Sequence, residues 1–240
     1  MIQRIAHITD LHLDEEFPFR NQTSARNRFD TVLKDIEQEQ INHIICTGDI
    51  GENNGIEYFF TQLKKKKLLI TLGNHDQFSD ICTYHPLQGN HNTKKTYWSH
   101  STQFFKFMYL DSSSGAIDKE QLDWLKKEIS SPKPILIFVH HPIIGLNLKV
   151  DEIGKLKNRR EVTEILTRAT TKISIYCGHY HMKSFQVYKN IEQFITPAIA
   201  FQIKKNIGKI EIDTNISGYR IIQINETEVT SKVKFLHHAN

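Results

Sequence analysis

The sequence predicts an α/β protein of two packed β-sheets flanked by helices, and three observations carry that reading. Short runs rich in Ile, Val, Leu and Phe recur up to residue 177 with little polar alternation, the pattern of strands covered on both faces. Amphipathic helical stretches lie between several of them. Beyond residue 180 the helical stretches stop and strand-like runs follow one another closely, with no Pro/Gly-rich linker at the change. A chain of 240 residues can bury a large core and is expected to form one domain, residues 1–240.

In order, the first strand is expected over Arg4 to Thr9. A helix follows from Thr23 to Gln40, with Phe29, Val32, Leu33 and Ile36 on one face and a Ser or Thr available as N-cap. His43 to Thr47 reads as the second strand, Gly55 to Lys67 as a shorter helix carrying Tyr58, Phe59 and Leu63, and Leu68 to Leu72 as the third strand. The Lys64 to Lys67 run at that helix end reads as a solvated face. Phe105 to Leu110 is the next strand. Asp118 followed by Gln121 resembles a capping box opening a helix that buries Leu122, Leu125 and Ile129. Ile135 to Val139 is a strand, Arg159 to Arg168 a helix with Val162, Ile165 and Leu166 inward, and Ile173 to Cys177 a strand. Ser184 to Tyr188, Gln193 to Ile195, Gly208 to Ile212, Tyr219 to Ile224 and Thr230 to Leu236 are expected as consecutive antiparallel strands.

Bulk composition narrows the function. A net charge of +4 fits an anionic substrate and is too small for a nucleic-acid footprint. No run of about 18 apolar residues spans a membrane, and the N-terminus enters a strand without a signal-peptide pattern. Cys46, Cys82 and Cys177 form no C-x-x-C pair, so they read as thiols in a reducing compartment, and a cytoplasmic protein is expected. The 13 His are the unusual count, and the motifs absorb much of the excess. His7 reads as a packing residue inside the first strand, and His237 and His238 as a tail.

Five short patches carry the chemistry: Asp10-Leu11-His12, Gly48-Asp49, Gly73-Asn74-His75-Asp76, His140-His141 and Gly178-His179-Tyr180-His181. Each follows a strand-like run, so the donors are expected at one end of the sheets, where α/β folds bind ligands. Asp, His and Asn form a hard-to-borderline donor set suited to divalent transition metals rather than calcium. Residues two apart at a strand end can reach one ion, and a carboxylate such as Asp49 can bridge two. Alone, Asp10-x-His12 reads as surface polarity, Gly48-Asp49 and Gly73-Asn74-His75-Asp76 as turns and His140-His141-Pro142 as a loop start, while Gly178-His179-x-His181 is moderately specific; all five in this order, each at a strand end, do not read as accident.

That order resembles the signature of the calcineurin-like metallophosphoesterase superfamily, over Asp10 to His181. The resemblance implies a four-layer αββα sandwich of two mixed β-sheets with a dinuclear centre in its loops. One ion would be held by Asp10, His12, Asp49 and His181, the other by Asp49, Asn74, His140 and His179. Asp49 would bridge the two divalent ions, which would be Mn, Fe or Zn. His75 would face the substrate phosphate and protonate the leaving oxygen, with Asp76 orienting it and raising its pKa. His140 takes the ligand position before one residue and Pro142; His141 would back the ligands or face the substrate with Asn74 and His75. Water shared by the ions would be the nucleophile.

The surrounding residues remove several branches. No Arg follows Asp49, unlike protein Ser/Thr phosphatases. Glu52 stands where purple acid phosphatases place a ligand Tyr, and His75 where lipid A precursor hydrolases carry Arg. Double-strand-break nucleases usually extend into a capping domain, whereas this chain ends soon after the core. Tyr109-Leu110-Asp111-Ser112 and the helix Gln121-Leu122-Asp123-Trp124-Leu125 are similar to a block of the class III cyclic-nucleotide phosphodiesterases. Thr196 to Phe201 resembles their substrate loop, with Phe201 either stacking on a base or packing. The expected substrate is a small phosphodiester, a 3′,5′-cyclic nucleotide such as cAMP; a nucleotide pyrophosphatase, a nuclease and a non-catalytic scaffold are the competing readings. Oligomeric state is not legible.

Overall fold

The computed structural model describes residues 2–16, 23–89 and 94–238. The first sheet is built from β1 (Gln3–Ile8), β2 (His43–Cys46), β3 (Lys67–Ile70), β12 (Ile216–Ile224) and β13 (Val229–His237), in the order β13-β12-β1-β2-β3. The second contains β4 (Trp98–Ser101), β5 (Lys106–Tyr109), β6 (Ile135–Phe138), β7 (Ile173–Cys177), β8 (Ser184–Tyr188) and β9 (Ile191–Ile195), in the order β4-β5-β6-β7-β9-β8. Both are mixed: β1, β2 and β3 run parallel, as do β5, β6, β7 and β9, with antiparallel strands beside them. A ribbon of β10 (Gln202–Ile203) and β11 (Ile212–Asp213) stands apart.

Burial on both faces explains the unalternating strand sequences. Along β1 and β2, Ile5 and Ile45 enter the core shared by the two sheets, while Ala6, Ile8, Ile44 and Cys46 face the opposite way. On that outer side Phe29, Val32 and Ile36 of α1 (Thr23–Gln38) and Phe59 of α2 (Asn54–Leu63) cover the first sheet. In β6, Leu136 and Phe138 face the shared core, and Ile135 and Ile137 face α4 (Lys119–Glu128) and α6 (Arg159–Leu166). The result is a four-layer αββα sandwich.

One aromatic ring per strand sets the register of the second sheet. Trp98, Tyr109, Phe138, Tyr176, Phe194 and Phe185 are successive cross-strand partners. Their neighbouring centroids lie 4.3, 5.5, 5.4, 5.2 and 4.9 Å apart. Cross-strand aromatic pairs favour one alignment over a slipped one. Here the alignment brings the strand ends level, so that Gly178 N donates to His140 O at 3.0 Å. The first sheet does the same, Asp10 N donating to Gly48 O at 3.0 Å.

Several expectations are corrected. The runs after residue 180 do not form one antiparallel succession: β9 lies parallel to β7, and β12 crosses to the first sheet beside β1. Polarity alternation reports which face is wet, not which strand is the neighbour. Only the last residue of the expected Gly208 to Ile212 strand is extended, in β11. Asn206 Oδ1 accepts the Gly208 and Lys209 N–H groups at 2.9 and 3.3 Å, so a side-chain-closed turn wins over a ladder. Asp118 Oδ1 caps α4 by accepting Gln121 N at 2.9 Å. The reciprocal half of the capping box is not made, because Gln121 instead bonds Asp111 N and O at 2.9 and 2.8 Å. Lys67 begins β3 rather than ending a helix. The short elements α3 (Phe78–Tyr84), α5 (Lys149–Gly154) and β4 carry no sequence pattern that singles them out. The cap expected for α1 lies outside the described side chains. Among the described residues no helix is long and apolar enough to cross a membrane.

Candidate metal centre and active site

All five patches follow the C-terminal ends of parallel strands: β1, β2 and β3 of the first sheet, β6 and β7 of the second. The backbone there is bent into the left-handed region, with φ of 53° at Asp10, 47° at His12, 52° at Asp49, 70° at His179 and 46° at His181. Such conformations cost about 1–3 kcal/mol each and persist only when neighbours fix them. The neighbours here are mutual. Leu11 N and His12 N both donate to Asp49 O at 2.8 and 3.0 Å, and His179 N donates to the Asp10 carboxylate at 2.9 Å. Gly48 and Gly178 permit this closeness: a side chain on the first would overlap the Gly73 backbone, and on the second Thr9 and Asp10.

Two histidine pairs define the centre. His12 Nε2 and His181 Nε2 lie 3.1 Å apart, as do His140 Nε2 and His179 Nδ1. Their other ring nitrogens are committed as donors, because their partners only accept. His140 Nδ1–H donates to Thr47 O at 2.7 Å, His179 Nε2–H to Gly154 O at 2.8 Å and His181 Nδ1–H to Phe201 O at 3.1 Å. His12 Nδ1 sits 2.9 Å from Glu15 Oε2. Each facing pair therefore brings two lone pairs together, which is repulsive unless a cation or proton lies between them. Anionic and neutral oxygens converge on the same points. Asp10 Oδ1 lies 3.4 Å from His181 Nε2, and Asn74 Oδ1 lies 3.1 Å from His140 Nε2. Asp49 Oδ2 stands between the clusters, 3.7 Å from His12 Nε2 and 3.3 Å from His140 Nε2. Three groups have ligand atoms close enough to share an ion: Asp10 with His12 and His181, Asp49 with His140 and His179, and His12 with Glu15 and His75. The first two fit two divalent ions joined by one carboxylate.

The electrostatics agree. Burial would raise Asp10 and Asp49, but facing histidines, His181 and His140 respectively, hold both below the usual carboxylate range. Burial likewise opposes protonation of His140, yet the Asp49 carboxylate pushes it up to about 9. The negative potential that draws a proton to His140 also draws a metal ion, and the two compete for one lone pair.

The centre floors a cleft of about 230 Å³ lined by His12, Glu15, Asp49, Asn74, His75, His179, His181 and Phe201. His75 is half-exposed there, its N–H donating to Asp49 Oδ1 at 2.9 Å. Its Nδ1 lies 3.1 Å from Glu15 Oε2, and this contact raises it to about 9.

Asp76 is not placed as expected. Its carboxylate accepts backbone N–H groups of Asp49, Gly73 and Ile50 at 2.8, 2.8 and 2.9 Å, tying the ends of β2 and β3 together. Burial and nearby Asp49 push it up to about 6. The carboxylate beside His75 belongs to Glu15, which sequence reading missed; its only signal is an acid three residues after His12. His141 does not line the cleft. It is buried, its Nδ1 2.9 Å from Ser112 Oγ and its ring 4.1 Å from that of His179, so it backs the His179 imidazole. His7 is a core residue, its ring nitrogens 2.9 and 2.7 Å from the hydroxyls of Thr47 and Thr196. Phe201 is buried with its ring 4.3 Å from that of His181.

Comparison with known proteins follows this geometry. A protein of Fibrobacter succinogenes named as a probable cyclic nucleotide phosphodiesterase is 24% identical over 98% of this chain and 94% of its own length. The 3′,5′-cyclic adenosine monophosphate phosphodiesterase of Haemophilus influenzae is 25% identical over 98% of this chain and 91% of its own. A glycerophosphodiester phosphodiesterase of Enterobacter lignolyticus is 23% identical over 83% and 78%. In fold, the chain is similar to a dimetal phosphatase from Danio rerio, with a TM-score of 0.70 and 13% identity over 95% of this chain and 98% of that one. The family model for calcineurin-like phosphoesterases matches residues 3–183, a segment holding all five patches, and the chain belongs to that family.

Proposed function

We propose that this protein hydrolyses 3′,5′-cyclic nucleotides such as cAMP, using two divalent ions (Mn, Fe or Zn) held by Asp10, His12, Asp49, Asn74, His140, His179 and His181. The observation that carries the metal centre is the pair of opposed imidazole contacts at 3.1 Å with Asp49 between them. The names of relatives aligned over nearly the whole chain support the substrate class. When bound, the ions supply an acidified water as nucleophile and neutralise charge on the phosphate.

The protein's own groups do the rest. Asp49 and Asn74 fix the cleft floor, and the backbone bond from His75 N to Asp49 Oδ1 sets the acid beside it. As water oxygen bonds to phosphorus, the bond to the leaving ester oxygen breaks with its electron pair. His75, through the ring nitrogen not held by Glu15, gives that oxygen its proton. Phe201 and the imidazoles wall the cleft. Residues 1–240 act as one domain in this reading, and the three unpaired cysteines support a cytoplasmic setting.

A metal-reconstituted panel of cAMP, 2′,3′-cyclic AMP, a glycerophosphodiester, ADP-ribose and short DNA tests this. Turnover is expected to be highest with cAMP. Preference for the glycerophosphodiester, the substrate class in the name of the Enterobacter relative, would displace the cyclic-nucleotide reading.

A further inference from the structure

Two cleft residues are held by a single oxygen. Glu15 Oε2 lies 2.9 Å from His12 Nδ1 and 3.1 Å from His75 Nδ1. The two rings meet edge to face with centroids 4.8 Å apart. The other oxygen, Oε1, is buried without a hydrogen-bond partner among the described residues. A solvated surface acid would not keep one oxygen doubly engaged and the other idle. The backbone before Glu15 is anchored as well: Asp14, at φ 64°, pairs with Arg26 through both oxygens, and Arg26 lies 4.6 Å over the ring of Tyr58. The clamp is thus rooted in α1 and α2 rather than left to a free loop.

We propose that Glu15 is a positioning residue: its one oxygen accepts the Nδ1–H groups of both His12 and His75 and turns both Nε2 atoms inward, the lone pair of His12 toward the metal centre and the Nε2–H of His75 toward the leaving oxygen of the ester. This rests on the phosphodiesterase reading above. The two histidines depend on the clamp unequally. His12 is also constrained by Asp49 and His181, at 3.7 and 3.1 Å. The half-exposed His75 ring has Glu15 as its side-chain anchor. Loss of the clamp therefore falls on proton delivery to the leaving group.

Leaving-group dependence separates this role from general damage. 4-Nitrophenolate departs without a proton, whereas a ribose oxygen needs one. Glu15→Ala and Glu15→Gln are compared with wild type on cAMP and bis(4-nitrophenyl) phosphate at saturating Mn(II). In Glu15→Ala, kcat on cAMP is expected to fall ~100-fold, with a far smaller loss on the aryl ester and little change in KM. In Glu15→Gln one carbonyl oxygen can accept both N–H groups, so cAMP turnover should return to within ~10-fold of wild type. Equal losses on both esters, or none on either, would overturn the proposal. Imidazole 15N spectra of metal-free protein give a readout independent of activity. Recorded at strongly alkaline pH, where the ring is neutral, His75 should be one Nδ1–H tautomer in wild type and Glu15→Gln and a mixture in Glu15→Ala; identical spectra in all three also refute the clamp. Wild-type protein inert toward both esters would sink the phosphodiesterase reading instead, and the spectra would still decide the role of Glu15.

Discussion

His75 stands over the metal centre with one nitrogen held by Glu15 and the other facing the cleft, while its neighbour Asn74 turns its amide oxygen toward His140. Under the proposed function these adjacent residues have different tasks, ligand for Asn74 and proton donor for His75, and the distinction can be measured. His75→Ala should lower kcat on cAMP by ~10²–10⁴-fold while retaining two ions per chain. Metal analysis beside steady-state kinetics checks it, and equal loss of metal and rate would mean that His75 is a ligand. The convergence of the seven proposed ligands was legible in the sequence because each sits at a strand end with a Gly or a second donor beside it. Glu15 was not legible, since its role depends on a left-handed turn at Asp14 that folds it back over His12. Asp76 was misread because adjacency in sequence suggested contact with His75, whereas the turn aims its carboxylate at the amides of β2 and β3.

At the level of elements, the aromatic row across the second sheet aligns β6 and β7 so that His140 and His179 meet. Tyr109 stacks between Trp98 and Phe138, yet its hydroxyl is buried without a partner among the described residues. Desolvating an unpaired hydroxyl costs ~1–3 kcal/mol, so Tyr109→Phe should keep the stacking and gain about 1 kcal/mol of stability. Urea denaturation checks it; a clear loss would show that the hydroxyl has a partner. The parallel strands and longer helices were legible from apolar runs and 3.6-residue periodicity. The pairing of β9 and β12 was not, because partner choice depends on chain crossings between sheets that no local pattern encodes. Nor was Gln121's switch from its expected reciprocal cap to Asp111, a residue ten positions away.

Across the whole molecule, the two sheets are joined beneath the centre by a buried polar chain. His7 bonds Thr47 and Thr196, Arg220 Nε donates to Thr196 Oγ1 at 3.1 Å, and Thr47 O holds His140. Burial, then the Arg220 charge, lowers His7 to about 3. The unfolded chain takes up this proton near the ordinary value of about 6.5, but the folded one does so only near 3. Between those values the unfolded state binds more protons, so stability is full above about pH 6.5 and falls as pH drops. His7→Gln should therefore flatten the dependence of unfolding free energy on pH across this window by one proton, ~1.4 kcal/mol per pH unit. Urea titrations at several pH values measure it, and an unchanged slope would show that His7 is protonated in the folded protein.

The dinuclear centre is tested most directly by loading metal-free protein with Mn(II) and recording its electron paramagnetic resonance spectrum beside the bound stoichiometry. Two ions per chain with an exchange-coupled spectrum are expected, and Asp49→Ala should abolish the coupling together with cAMP turnover. A single ion, two magnetically independent ions, or an Asp49→Ala variant that keeps coupling and activity would contradict a centre bridged by Asp49.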